Sequence, residues 1–151
     1  MQKINAEIHW SEKNYCCGWG AEGIGTIMCT DKTLDGVKKA FKESLEFHIE
    51  GMVADGDNVP QWLIDKEYEI NYILDVSALL RSIEPYTTMA AISRATGINQ
   101  KQLSHYASSV KTPRPIQRQK IIEGIHKIGE VFMAVRYRES KEKRNGFIWL
   151  I

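Results

Sequence analysis

The sequence predicts an α+β protein built in two parts. A small antiparallel β-β-β-α-β module is expected over residues 1–74, an all-α module over 75–138, and a short tail over 139–151. Three observations carry this division. Apolar residues alternate with period two near the start and again at 68–74. A helical period of three and four takes over after Asp75. The sign of the charge changes at the same point. A chain of 151 residues, 43% hydrophobic and 26% charged, has the composition of a globular protein that can build a core in each part.

In the first module, Ile4, Ala6, Ile8 and Trp10 alternate with Asn5, Glu7 and His9, which predicts a strand with one buried face. Ser11 to Asn14 is polar and predicts a hairpin turn, with Tyr15 to Gly20 as the return strand. Glycines 18, 20, 23 and 25 invite a phosphate-loop reading, but no helix signal follows them directly, so a twisted sheet with close backbone approach is the better reading. Gly25 to Cys29 is the third strand. Thr33 is a good helix cap, and Leu34, Val37, Phe41, Leu45, Ile49 and Met52 then recur at helical spacing. Gly51 is the expected stop. Residues 53–66, with Asp55-Gly56-Asp57-Asn58 and Pro60, predict a loop. It lacks the spacing and closing Glu of a calcium site. Trp62 and Leu63 are expected to tuck back onto the core. Tyr68, Ile70, Tyr72 and Leu74 form the fourth strand.

The second module opens with Val76, Leu79, Leu80 and Ile83 on a helix that Pro85 ends. Residues 88–106 then read as two short helices around a tight turn at Gly97, which supplies positive φ without a Cβ penalty. Ile92, Thr96, Ile98, Leu103 and Tyr106 face inward, Ser93 is small where the helices cross, and Asn99 caps the second helix. That leaves Gln100, Lys101, Ser104 and His105 outside, with Gln102 beside them. Such side chains can meet base edges in a major groove. Lys111, Arg114 and Arg118, on a proline-containing loop and the next helix start, suit phosphates. A closing helix is marked by Ile121, Ile122, Ile125, Ile128, Phe132 and Val135, with a break expected near Gly129. In the tail, the apolar Gly146 to Ile151 is expected to pack on the protein's own core or on a second subunit.

Charge separates the parts further. Residues 1–74 hold seven lysines, no arginine and 13 acidic residues, a net −6; residues 75–138 hold ten basic and four acidic residues, a net +6. An acidic module suits a basic protein partner, and a basic one suits polyphosphate. Cys16, Cys17 and Cys29 have no metal-ligand spacing, and with no signal peptide or long apolar run legible the chain is expected to be cytoplasmic, without membrane contact.

Gly97-Ile-Asn-Gln-Lys-Gln-Leu-Ser-His-Tyr106, Lys111-Thr-Pro-Arg-Pro115 and Ile125-His-Lys-Ile-Gly129 together resemble the C-terminal domain of HicB-type antitoxins, in the Bacteroidetes-like branch, and more broadly the Cro/repressor helix-turn-helix class. The order of elements in the first module resembles that family's partial ribonuclease H-like domain. Two stretches depart from it: Cys16-Cys17-Gly18, and the apolar end of the tail. The resemblance implies an antitoxin of a type II toxin-antitoxin system. Its first domain would neutralise a small HicA-type mRNA-degrading toxin, and its second would bind double-stranded operator DNA as a dimer and repress its own operon. The DNA-contacting set would be Asn99, Gln100, Lys101, Gln102, Ser104, His105, Lys111, Arg114 and Arg118. A second reading is a stand-alone transcriptional regulator with an N-terminal ligand-sensing or dimerisation domain. A third, a metal-assisted nuclease using Glu7, Glu12 and Asp31, lacks a legible carboxylate cluster, so no enzymatic activity, cofactor or metal is expected.

Overall fold

The computed structural model describes residues 1–138, so the tail lies outside the described residues. Strands β1 (Gln2–Ser11), β2 (Asn14–Ala21), β3 (Gly25–Asp31) and β4 (Tyr68–Leu74) form one sheet in the order β3-β2-β1-β4. Ile4, Ala6 and Ile8 turn to one side of β1 and are buried, while Lys3, Asn5 and Glu7 on the other side are exposed. A two-residue turn links β1 to β2, with Glu12 at φ 54°. The β2–β3 hairpin turns through Glu22 to Ile24, with Gly23 at φ 79°, and no helix opens there. The glycines of β2 serve close strand approach: a Cβ on Gly20 would meet Thr26 Oγ1 at 3.0 Å, and one on Gly18 would meet Met28 Cγ at 3.3 Å.

The expected all-antiparallel sheet is corrected at β4, which pairs with β1 in parallel, from Gln2 opposite Tyr68 to Ile8 opposite Leu74. Alternation reports which face is buried and is blind to strand direction. Direction is set by helix α1 (Leu34–Ala54), which carries the chain back across the sheet before β4 begins.

Helix α1 starts where Thr33 Oγ1 accepts the Gly36 amide at 2.9 Å. The Asp31 carboxylate accepts from the backbone N–H of Thr33 and from its hydroxyl. These bonds hold its pKa below the usual carboxylate range. Val37, Phe41, Leu45 and Ile49 bury one stripe of α1 on the sheet. Phe41 meets Tyr72 edge-on at 6.3 Å, and Tyr72 Oη donates to the Lys38 carbonyl. The helix runs through Gly51, contrary to the expected stop, and ends at Ala54; the left-handed residue that follows is Gly56, φ 78°. Within the expected loop 53–66, Gln61–Ile64 forms a single helical turn, α2. It buries Leu63 and sets Trp62 edge-on to Tyr68 at 6.3 Å.

Four helices follow: α3 (Val76–Ile83), α4 (Met89–Thr96), α5 (Gln100–Ala107) and α6 (Pro115–Met133). Their core is Val76, Leu80, Ile92, Ile98, Leu103, Tyr106, Ala107 and Ile121. Helix α6 is continuous across Gly129, so the expected break is absent. Its stripe is also shorter than expected. Ile121 is buried and Ile125 and Ile128 pack partly, whereas Phe132 is 58% exposed and Val135 lies beyond the helix at 64%. Helix α6 has 19 residues and its neighbours have eight, so at 1.5 Å per residue it outreaches them by about 16 Å.

The two parts interlock. Ala78 of α3 packs in the sheet core, while Val76 and Leu80 of the same helix pack in the helical core. The Trp10 amide donates to Ser77 Oγ at 2.8 Å, Ser109 Oγ donates to the Trp10 carbonyl, and the Arg81 guanidinium lies 4.8 Å from the Trp10 ring centroid. Among the described residues, no helix is long and apolar enough to cross a membrane.

Candidate nucleic-acid interface

Helices α4 and α5 owe their placement to caps and one glycine. Thr88 Oγ1 accepts the Ala91 amide at 3.1 Å to start α4. Gly97, at φ 77°, ends it and returns its N–H to Ser93 O at 2.8 Å. Ile98 is buried between the two helices, and Asn99 Oδ1 accepts the Gln102 amide at 2.8 Å to start α5. Thr96 bridges the turn, donating to Ile92 O at 2.8 Å and accepting from the Ile98 amide at 3.1 Å. Leu103, Tyr106 and Ala107 fix the inner side of α5.

The outer side of α5 carries Gln100, Lys101 and Ser104, all exposed, whose side chains have no hydrogen-bond partner among the described residues. These three can reach a ligand without giving up an internal contact. Gln102 is different: its amide nitrogen donates to Tyr106 Oη at 2.8 Å, which leaves it half-buried and partly committed. His105 is half-buried too, with Nδ1 out of water and without a hydrogen-bond partner among the described residues. Its carbonyl accepts the Val110 and Lys111 amides, closing the turn after α5.

No protein-family model matches this chain, and comparison with curated proteins and with solved structures finds no match. Residue geometry therefore carries the functional reading. Lys111, Arg114 and Gln102 line one shallow depression beside α5, together with Lys120 and Gln117. Arg118 lies elsewhere: with Lys111 it lines a cavity between the helical part and the sheet. Of the sequence-derived set, Gln102, Lys111 and Arg114 share this depression, while Arg118 lines the neighbouring cavity instead. Lys111, Arg114 and Arg118 are exposed.

Sequence reasoning gave no role to three groups. Lys120 joins the basic depression because it lies about one and a half turns beyond the loop, a spacing that periodicity could have flagged. Arg81 carried no such signal. Its Nε donates to Ala107 O at 3.0 Å and its guanidinium nitrogens reach Glu84 Oε1 at 3.1 Å and Ser108 Oγ at 3.3 Å, tying the end of α5 to α3. Gly124 is a third. A Cβ there would come within 2.4 Å of Thr96 Cγ2, so the crossing of α6 on α4 leaves no room for a side chain beside the Thr96 methyl.

The sheet part offers little for acid–base or thiol chemistry. Glu7 stands on the open face of β1, whereas the Asp31 carboxylate is bound at the start of α1, so the two do not meet. Burial pushes the thiols of Cys16 and Cys29 up, and that of Cys17 up to about 12, which keeps them protonated at neutral pH. His48 Nε2 is bound to the Ile24 carbonyl at 2.7 Å. Among the described residues, no three His, Cys, Asp or Glu side chains are grouped to hold a metal ion.

Proposed function

We propose that the protein is an antitoxin of the HicB type. Residues 1–74 bind and neutralise a small basic HicA-type ribonuclease, and residues 75–138 bind operator DNA and repress the protein's own operon. The observation that carries this reading is the outer side of α5. Gln100, Lys101 and Ser104 are presented together on a helix whose start, end and depth are each fixed by a named cap or core residue. Gln100 can pair with adenine and Lys101 with guanine or phosphate. Lys111, Arg114 and Lys120 lie alongside, where a strand's phosphates would run. A dimer would set two such helices about 34–36 Å apart, or a multiple of that spacing, on a two-fold operator.

The sheet part supports the other half by charge. Its net −6 repels nucleic acid and attracts a basic protein. In this reading the protein is not an enzyme and acts by occupying its partner. The experiment is co-expression of the chain with the short, basic reading frame adjoining its gene. The reading expects that frame alone to arrest growth, and its product to co-purify with the chain and lose toxicity. No such frame, or no rescue and no co-purification, leaves the stand-alone regulator in its place.

A further inference from the structure

Between the two parts lies a cavity of about 550 Å³. That is the size of a pocket for a small organic molecule. One wall is apolar: Leu74 at the end of β4, Val76 and Leu79 of α3, Pro113, and Ile122 of α6. The rest is polar, with Lys111 and Arg118 from the helical part and His9 from β1. Neither cation forms an ion pair with a described residue. The acid on the lining, Asp75, is already engaged, accepting from Ser77 Oγ at 2.6 Å and from the Ala78 amide at 3.0 Å. An occupant that satisfies this cavity has an apolar body and one anionic end, because two unpaired cations face a wall of aliphatic side chains.

We propose that the cavity is a binding site for a small apolar carboxylate held by Lys111 and Arg118, and that its occupant competes with DNA phosphate for Lys111. Lys111 lines both this cavity and the basic depression beside α5, so a carboxylate paired with it withdraws a cation from the proposed DNA surface. By reciprocity, bound DNA weakens the carboxylate to the same degree. The competition rests on the DNA-binding reading; the carboxylate site does not.

The test uses the full chain and two probes, naphthalene-2-carboxylate and octanoate, with naphthalene-2-carboxamide as a neutral match. Isothermal titration should show saturable one-to-one binding of at least one carboxylate, with the amide about tenfold weaker or more, as expected for a hydrogen-bonded charge. Arg118→Gln should weaken the carboxylate by a similar factor, Ile122→Trp should block it, and Phe132→Ser, remote at the end of α6, should leave it unchanged. Arg118→Gln changes an exposed side chain and keeps the test available if Ile122→Trp fails to fold. No saturable binding of either carboxylate, equal binding of the amide, or binding indifferent to Arg118→Gln overturns the site. A saturating carboxylate should also weaken binding to a random-sequence duplex at low salt; unchanged affinity overturns the competition. If the chain binds no duplex at all, the DNA-binding reading fails while the titration still decides the site.

Discussion

The sheet part and the helical part reach the same end, a single placed surface, by opposite means. The sheet part is held by bulk. Phe41 and Leu45 of one long helix are fully buried in a core shared with Ile4 and Ile8 of β1. The helical part is held by detail. Three of its helices have eight residues each, too short to be stable alone, and their orientation depends on Thr88, Gly97, Asn99 and the close crossing at Gly124. The difference teaches where substitutions should be felt. A surface presented by caps can be lost through one small side chain, while a surface presented by a packed sheet tolerates such changes. The parts are also not separable at will, since Ser77 and Arg81 of α3 and Ser109 beyond α5 all engage Trp10 of β1.

The largest expected effect is on DNA binding and should spare the other part. Gln100→Ala combined with Lys101→Ala removes two candidate base contacts, each worth about 1–3 kcal/mol, so operator shifts should disappear. Toxin binding should be unchanged, as measured by co-purification. Loss of both would mean that the contrast between the parts fails. Next, Gly124→Ala forces a methyl against Thr96 Cγ2 and should destabilise the protein by about 1–3 kcal/mol in urea unfolding. Thr96→Ser in the same background removes that methyl and keeps the hydroxyl bonds, so it should restore most of the loss; no restoration would show that the crossing is not the cause.

A smaller loss, about 1 kcal/mol, is expected for Asn99→Ala, from the cap bonded to Gln102. Its thermal midpoint should fall in step with its operator affinity, because the same bond sets the start of α5. The sheet part has its own signature at high pH. The Cys17 thiol titrates near its ordinary value of 9.0 when unfolded and is pushed up to about 12 when folded. Its raised folded pKa means the stabilisation is complete below pH 9 and is lost as pH rises toward 12, at up to about 1.4 kcal/mol per pH unit. Cys17→Ala should show a shallower decline over that window; parallel declines would remove Cys17 as the cause.

The same contrast governs how much could be read from the sequence. Alternation at Ile4, Ala6 and Ile8, helical spacing from Val37 to Ile49, and the caps at Thr33 and Asn99 were legible because each is a local rule. Strand direction at β4 was not, because the residues of a strand record which face is buried and not which neighbour it lies beside. The run of α1 past Gly51 was missed for a related reason. Glycine permits a stop, and here the chain turns left-handed only at Gly56. In the candidate interface, Gln100, Lys101 and Ser104 follow from the helical period once Leu103 and Tyr106 are taken as inward. Gln102's bond to Tyr106 is an i,i+4 pair within α5 that helical spacing could have flagged. Arg118's place on the cavity beside the sheet and Gly124's contact with Thr96 depend on elements distant in sequence, and no pattern within one helix reports them.

The central claim is that two parts of one chain serve two partners. It is tested most directly by amide chemical-shift mapping of the full chain, titrated with its operator duplex and, separately, with the co-expressed toxin. The account predicts that the duplex moves amides of residues 99–105 and 111–120 and leaves β1 to β4 in place, while the toxin moves residues within 1–74. Duplex-induced shifts centred on the sheet, or toxin-induced shifts centred on α5, would contradict it.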